Sequence, residues 1–362
     1  MSDVPPASVS GRFPLPRCGR VTLATVDPPG TDEASRPVWT DAIPLGDERV
    51  GLVVADTGRH PAPVAQLRHL VAAALAGERS PVRALEALDR CVAGRPDPPV
   101  DGAAQCAVLD GATGTLLWSG AGPCAPLVVG PAGGRLLTGG DGPAVGRAGR
   151  RSRQAQETLE AGTTVVLGCT GAGDDLAAGA VRHHDLAPDD LAAELLGRTG
   201  SGTAPVLVLA RLIPAPLTER LPADPRRLSA VRRRLGAWSA QAALSGDTIA
   251  DLQLMLSEAA TNSVEHAYRD GPPGEFTYSV RRRDDGAIRV EVQDFGRWRP
   301  PPADPGYRGR GLAVIHNLAD EVTFEVGESG TRVAFTVPDD PPPLAQRSTA
   351  PGAAQRTAGS AR

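Results

Sequence analysis

The chain has 362 residues, more than one hydrophobic core usually holds, so two domains are expected. A formal net charge of -4 and a pI near 5.9 leave no basic excess of the kind that binds nucleic acid. No apolar run is long enough to span a bilayer and no charged-then-apolar leader opens the chain, so the sequence predicts a cytoplasmic protein with no membrane partner.

Residues 1–17 are rich in Pro and Ser and read as loosely ordered. The run "RVGLVVAD" (49–56) predicts a buried strand, after which helices are expected over 63–76 and 81–92, the second with Leu85, Leu88 and Val92 at helical spacing. Two strand runs flank Asp110-Gly111-Ala112-Thr113-Gly114, a hairpin signal, and "APLVVGPAGGRLLTGG" (125–140) repeats that plan. "TTVVLG" (163–168) and "PVLVLARL" (205–212) add further strands. Many antiparallel strands with few helices imply a layered α+β domain over 18–212. The five cysteines (Cys18, Cys91, Cys106, Cys124, Cys169) are scattered, with no C-x-x-C pair, so neither a disulfide framework nor a zinc site is expected.

The Pro-rich stretch 213–225 reads as a linker into a second domain, 226–337. That domain opens with a helix over 228–244 carrying Leu228, Val231, Leu235 and Trp238 on one face. A second helix is expected over 247–267 with Asp247 as N-cap. Alternating strands follow at Phe276/Tyr278/Val280, Ile288/Val290/Val292, Val322/Phe324/Val326 and Val333/Phe335/Val337, with a short helix at 311–319. Period-two alternation gives each strand one covered and one open face, so helices should cover one face of an antiparallel sheet. The tail 338–362 lacks apolar periodicity and reads as disordered.

At about 100° per residue, Asp251, Met255, Glu258, Asn262 and Glu265 share one side of the second helix, and Ile249, Leu252, Leu256, Ala260 and Val264 lie around the other. Alone, this stripe fits a solvated face. Three later fragments give it company. Asp294-Phe295-Gly296 ends a strand, where a carboxylate can accept from an adenine amino group and a glycine lets backbone approach the base. Gly309-Arg310-Gly311 opens a helix, whose free N–H groups can hold phosphate. Gly330-Thr331 precedes the last strand and offers a hydroxyl beside that carboxylate.

In this order, E258-A-A-T-N262, D294-F-G296, G309-R-G311 and G330-T331 resemble the GHKL ATPase superfamily, and in particular the anti-sigma-factor serine kinases of the RsbW type. The resemblance covers about 217–337 and implies a GHKL α/β sandwich binding ATP with Mg²⁺. By it, Asn262 would hold Mg²⁺ and Glu258 would be the general base. Asp294 and Thr331 would hold adenine, with Gly296, Gly309, Gly311 and Gly330 allowing close backbone approach and Arg310 near the phosphates. The eukaryotic kinase use of "DFG" is set aside, because no V-A-I-K strand or H-R-D loop accompanies it. His69, His266, His316 and the "RHHD" run at 182–185 read as packing or surface residues.

"VWTDAIPLGDERVGLVVADTGRH" (38–60) and "AVLDGATGTLLWSGAGPCAPLVV" (107–129) resemble a SpoIIE-type, PPM-class protein phosphatase over 18–212. That resemblance implies a layered β-sandwich with helices and a two-cation centre (Mn²⁺ or Mg²⁺) held by several aspartates. The sequence departs from the pattern. Pro37-Val38 stands where the first aspartate belongs, Thr170 where a later one does, and Gly202-Thr203 in place of the closing pair. Asp56 survives, as a weak residual metal ligand or a strand-end turn residue. The domain is therefore expected to be a degenerate phosphatase.

Together the resemblances imply a kinase that phosphorylates a Ser or Thr on a STAS-domain anti-anti-sigma factor in a partner-switching pathway. The alternatives are a module that binds a sigma factor under ATP control without turnover, and an active Ser/Thr phosphatase. A homodimer is implied by resemblance only.

Overall fold

The computed structural model describes residues 18–26, 38–57, 63–93, 102–146, 153–168, 174–198, 206–268, 274–283, 286–297, 311–327 and 329–339. The tail from 340 and the N-terminal 17 residues, read above as loosely held, lie outside them.

The first region contains two five-stranded antiparallel sheets. One has the order β1 (Val21–Val26), β10 (Leu207–Leu212), β9 (Thr164–Gly168), β6 (Leu127–Gly130), β7 (Gly133–Leu136). The other has the order β2 (Val38–Gly46), β3 (Arg49–Asp56), β4 (Ala103–Asp110), β5 (Thr115–Ala121), β8 (Ala155–Thr158). Val50, Leu52, Val54, Ala107 and Leu109 of the second sheet meet Val21, Leu23, Val165, Leu167, Val208 and Ala210 of the first in one buried layer. Helices α1 (Val64–Glu78) and α2 (Pro81–Ala93) pack outside the second sheet through Leu67, Val71, Leu75, Leu85 and Leu88. Helices α3 (Asp174–Arg182) and α4 (Pro188–Arg198) cover the outside of the first through Ala180, Leu191 and Leu195. The result is a four-layer helix–sheet–sheet–helix sandwich. It explains why β3 and β10 read as near-continuous apolar runs, broken in β10 by the buried Arg211: both faces of each strand are covered.

The Asp110–Gly114 hairpin forms as its residues dictate. Asp110 Oδ1 accepts the N–H groups of Ala112 and Thr113 at 3.0 and 3.1 Å, and Oδ2 pairs with Arg49 Nε at 2.8 Å. Burial opposes ionisation there, but Arg49 and the turn N–H groups outweigh it and hold the carboxyl below its usual range.

The second region is a single antiparallel sheet in the order β11 (Leu217–Pro222), β12 (Glu275–Arg282), β13 (Ile288–Asp294), β15 (Gly330–Val337), β14 (Val322–Gly327). Helices α5 (Leu228–Gln241), α6 (Gly246–His266) and α7 (Gly311–Leu318) lie on one face. Their apolar sides join Phe276, Tyr278, Val280, Ile288, Val290, Val292, Val333 and Phe335 in one core.

Four expectations need correction. The supposed linker 213–225 contains β11, which pairs with β12 from Leu217 opposite Val280 to Pro222 opposite Glu275. Glu219 fixes it there, accepting Tyr278 Oη at 2.7 Å and pairing with Arg234 of α5. The N-cap of α6 is Ser245, whose hydroxyl accepts Thr248 N–H at 3.1 Å, and Asp247 sits in the first turn instead. Met255, placed by periodicity on the polar stripe, is fully buried, because α6 packs between the sheet and its neighbouring helices. Phe324 and Val326 alternate as expected of a half-covered strand, yet they are 36% and 49% exposed, because β14 is the sheet edge and the described helices do not reach over it.

Candidate nucleotide site

The C-terminal end of α6 faces the sheet end where β13 stops and β15 begins, with Ala267 O accepting Arg297 N–H at 3.0 Å. Glu258 and Asn262 lie one turn apart, half-buried. The first residue of α7, Gly311, rests on both. A Cβ built there would lie 2.6 Å from Glu258 Oε2 and 3.5 Å from Asn262 Nδ2. The absence of a side chain at Gly311 is what lets the start of α7, with its unsatisfied N–H groups, sit on the polar stripe. Asp251 is half-buried like Glu258 and Asn262, and Glu265 is exposed; Glu258 and Asn262 are the stripe residues that lie against Gly311. Gly309 and Arg310, the other expected members of this turn, lie outside the described residues.

At the strand end, Asp294 is buried, only 5% exposed. Its Oδ1 accepts the N–H of Gly296 and that of Thr331, both at 3.2 Å. The hydroxyl of Ser263 on α6 donates to Ala259 O at 3.3 Å and also helps to lower the carboxylate's pKa. Burial pushes the Asp294 carboxyl up, and these three groups pull back only part of that rise. Thr331 is itself buried and reaches Asp294 through its backbone N–H.

Two glycines close this corner because nothing larger fits. A Cβ at Gly296 would lie 2.1 Å from the carbonyl oxygen of Ala267, just past α6. One at Gly330 would lie 2.0 Å from the carbonyl oxygen of Asp294, and Gly330 also holds a φ of +121°. The sequence motifs thus meet in two contacts: Gly311 against Glu258 and Asn262 of α6, and Gly330 and Thr331 against Asp294 at the strand end.

Two residues here were missed by motif reading. Ser263 directly follows Asn262 on α6, and Tyr268 lies two residues past the end of that helix. The Tyr268 hydroxyl donates to Glu275 O at 2.6 Å and accepts from Phe295 N at 2.8 Å. The first spans only seven residues, but the second joins segments 27 residues apart and has no local signal.

In the first region, strand register shows what surrounds Asp56. Asp56 ends β3 directly opposite Val38 on one side and Ala103 on the other. A carboxylate at 38 would stand beside the carboxylate at 56, as a shared metal pair needs; valine supplies no ligand. Nearby, Gln105 Nε2 bonds Gly168 O at 2.8 Å and links the two sheets. Among the described residues no three His, Cys, Asp or Glu side chains cluster as metal ligands would. Thr170, Gly202 and Thr203 lie outside the described residues. His183 of the "RHHD" run lies 3.4 Å from Glu194, a surface contact between α3 and α4.

A helix-covered antiparallel sheet with a buried strand-end carboxylate, and a glycine-opened helix resting on a Glu/Asn turn, defines the histidine-kinase-like ATPase class of nucleotide-binding domain. Comparison with known proteins agrees. Residues 221–337 match the family described as histidine kinase-like ATPase domain, and residues 46–200 match stage II sporulation protein E (SpoIIE). The serine-protein kinase RsbW of Listeria monocytogenes is 33% identical, over 33% of this chain and 85% of that protein. The anti-sigma F factor of Heyndrickxia coagulans is 31% identical, over 29% of this chain and 80% of that protein. Among solved structures, the RsbU and RsbW domains of a Mycobacterium tuberculosis protein are 26% identical, covering 89% of this chain and 96% of that one with a TM-score of 0.46. The chain belongs, through its C-terminal third, to the RsbW family of serine-protein kinases, and carries a SpoIIE-type domain before it. No helix among the described residues is long and apolar enough to cross a membrane.

Proposed function

We propose that this protein uses Mg-ATP to phosphorylate a Ser or Thr on a STAS-type anti-anti-sigma protein, as the kinase arm of a partner switch. The observation that carries the reading is the seating of Gly311 on Glu258 and Asn262. A helix N-terminus fit for phosphate and a carboxylate fit for proton abstraction then share one small volume.

In this reading Asp294 orients adenine by accepting from its amino group, and its bonds to Gly296 and Thr331 keep the carboxylate aimed. The backbone at Gly309 and Gly311, with Arg310, receives the phosphates. The amide oxygen of Asn262 would hold the Mg²⁺ that accompanies ATP, an ion that would supply charge neutralisation at the phosphates. The donor set fits: an amide oxygen suits a hard cation that keeps most of its waters. Glu258, one turn earlier, takes the proton from the attacking hydroxyl. The test is transfer of labelled phosphate from ATP to a STAS-domain protein of the same organism. Glu258→Gln should abolish transfer while leaving ATP binding intact. Binding of ATP and of a sigma factor with no transfer by the parent protein would instead favour an ATP-gated binding module.

The SpoIIE-type domain is, in this reading, a partner-binding or sensing domain that has lost its metal centre. The substitution of Val38 opposite Asp56 supports this. Mn²⁺-dependent release of phosphate from a phosphorylated STAS protein, lost in Asp56→Ala, would overturn it.

A further inference from the structure

The end of α6 does more than terminate the helix. Ala267 and Tyr268, immediately after it, hold the loop that follows Asp294 at three points. Arg297 N–H donates to Ala267 O at 3.0 Å. Gly296 packs against Ala267 so closely that no side chain could replace its hydrogen. Phe295 N–H donates to the Tyr268 hydroxyl, which in turn donates to Glu275 O at the start of β12. One oxygen therefore joins three elements: α6, the strand end of β13 and the first residue of β12. The ring is held from the other side by Gly274, where a Cβ would lie 1.9 Å from Tyr268 Cε1. Burial raises the Tyr268 hydroxyl above its usual range, so it stays a neutral donor and acceptor through physiological pH.

We infer that Tyr268 is a positioning residue for base recognition: its hydroxyl keeps the Asp294–Gly296 loop in register with the helix that carries Glu258 and Asn262. The inference rests on the nucleotide reading above and deepens it. Asp294 can discriminate a purine bearing a 6-amino donor from one bearing a 6-oxo acceptor only if its carboxylate is held in place. The Phe295 amide, next to Asp294, lies beyond the strand ladder like those of Gly296 and Arg297, and Tyr268 supplies its partner. Loss of the hydroxyl should loosen aim, and so selectivity, more than it harms the fold.

The experiment uses the full chain and its Tyr268→Phe variant, with ATP and ITP as probes, the second having a 6-oxo group in place of the amino group. Calorimetric titration of the parent should show a strong preference for ATP. In Tyr268→Phe, ATP affinity should fall by about five- to tenfold, the effect of one or two hydrogen bonds, while ITP affinity changes little. A general loss of stability would weaken both nucleotides equally and leave the ratio unchanged; that outcome overturns the proposal. Should Tyr268→Phe not fold, Gly274→Ala keeps the hydroxyl but displaces the ring, and the same collapse of the ratio is expected. In the parent, ATP but not ITP should slow hydrogen exchange at the Phe295 amide, and equal slowing by both would also overturn it. A parent that binds neither nucleotide would sink the kinase reading itself, which separates the two failures.

Discussion

Gly311 lies directly on Glu258: a methyl group at the glycine would stand 2.6 Å from the carboxylate Oε2. The clash is with the far end of a flexible side chain, so the fold can absorb it by moving that chain. Gly311→Ala is therefore expected to cost only about 1 kcal/mol in stability although Gly311 is buried, because the group it meets can swing aside. Its main effect should fall on the transfer rate, down by at least about tenfold, because the displaced carboxylate is the proposed base. Urea unfolding and phosphate-transfer kinetics measured on one preparation check both halves.

Gly330 offers the contrast. Its clash partner is the backbone carbonyl of Asp294, at 2.0 Å, and its φ is +121°. Neither can relax without moving β15 off β13. Gly330→Ala should cost about 3 kcal/mol or more, combining backbone strain with overpacking. ATP binding should be lost with it, since Thr331 N–H would no longer reach Asp294. Retention of parent-like stability would show that the strand end is not constrained as described.

Asp294 sets a pH dependence with a definite sign. Burial raises its carboxyl above the ordinary value of 3.8. The protonated form is thus favoured by the fold, and the stability from this group is fully present at low pH and declines as pH rises through the raised pKa. Adenine binding runs the opposite way, because the amino group needs an ionised acceptor. ATP affinity should fall on acidification at a pH above that of an ordinary aspartate, and Asp294→Asn should remove this step from the profile. Titrations of Mg-ATP across the acid range, with folding monitored by circular dichroism, read it directly.

The position of β11 predicts where the ATPase domain can be cut. A fragment beginning at 226 lacks β11, leaves Tyr278 without Glu219, and uncovers the side of the core that Leu217 and Leu221 pack against. Relative to a fragment beginning at 215, it should be less stable by at least about 3 kcal/mol, from lost apolar burial and one buried hydrogen bond. Equal urea midpoints would show that β11 is an accessory of the sheet.

Much of this was legible before any coordinates. The near-continuous apolar runs of β3 and β10 and the alternation in β12 and β13 set the difference between a two-sheet sandwich and a one-sided sheet. The hairpin at Asp110–Gly114 carried its own turn chemistry, and the order of the glycine, carboxylate and amide motifs pointed to a nucleotide. These are signals within a strand, a helix turn or a short loop, where covalent spacing fixes geometry. What sequence could not supply are contacts across long separations. Periodicity put Met255 with Glu258, but whether a stripe faces solvent or a neighbouring helix is decided by packing. Prolines made 213–225 look like a linker, although Leu217–Pro222 adds an edge strand, where proline is tolerated because no outer neighbour needs its missing N–H. Thr331 and Asp294 meet across 37 residues, and Tyr268 and Phe295 across 27. The sequence by itself determined which carboxylate, amide and glycine groups are available; only the closing of the sheet against α6 brought them into contact, because their hydrogen bonds join segments whose separation in sequence carries no distance information.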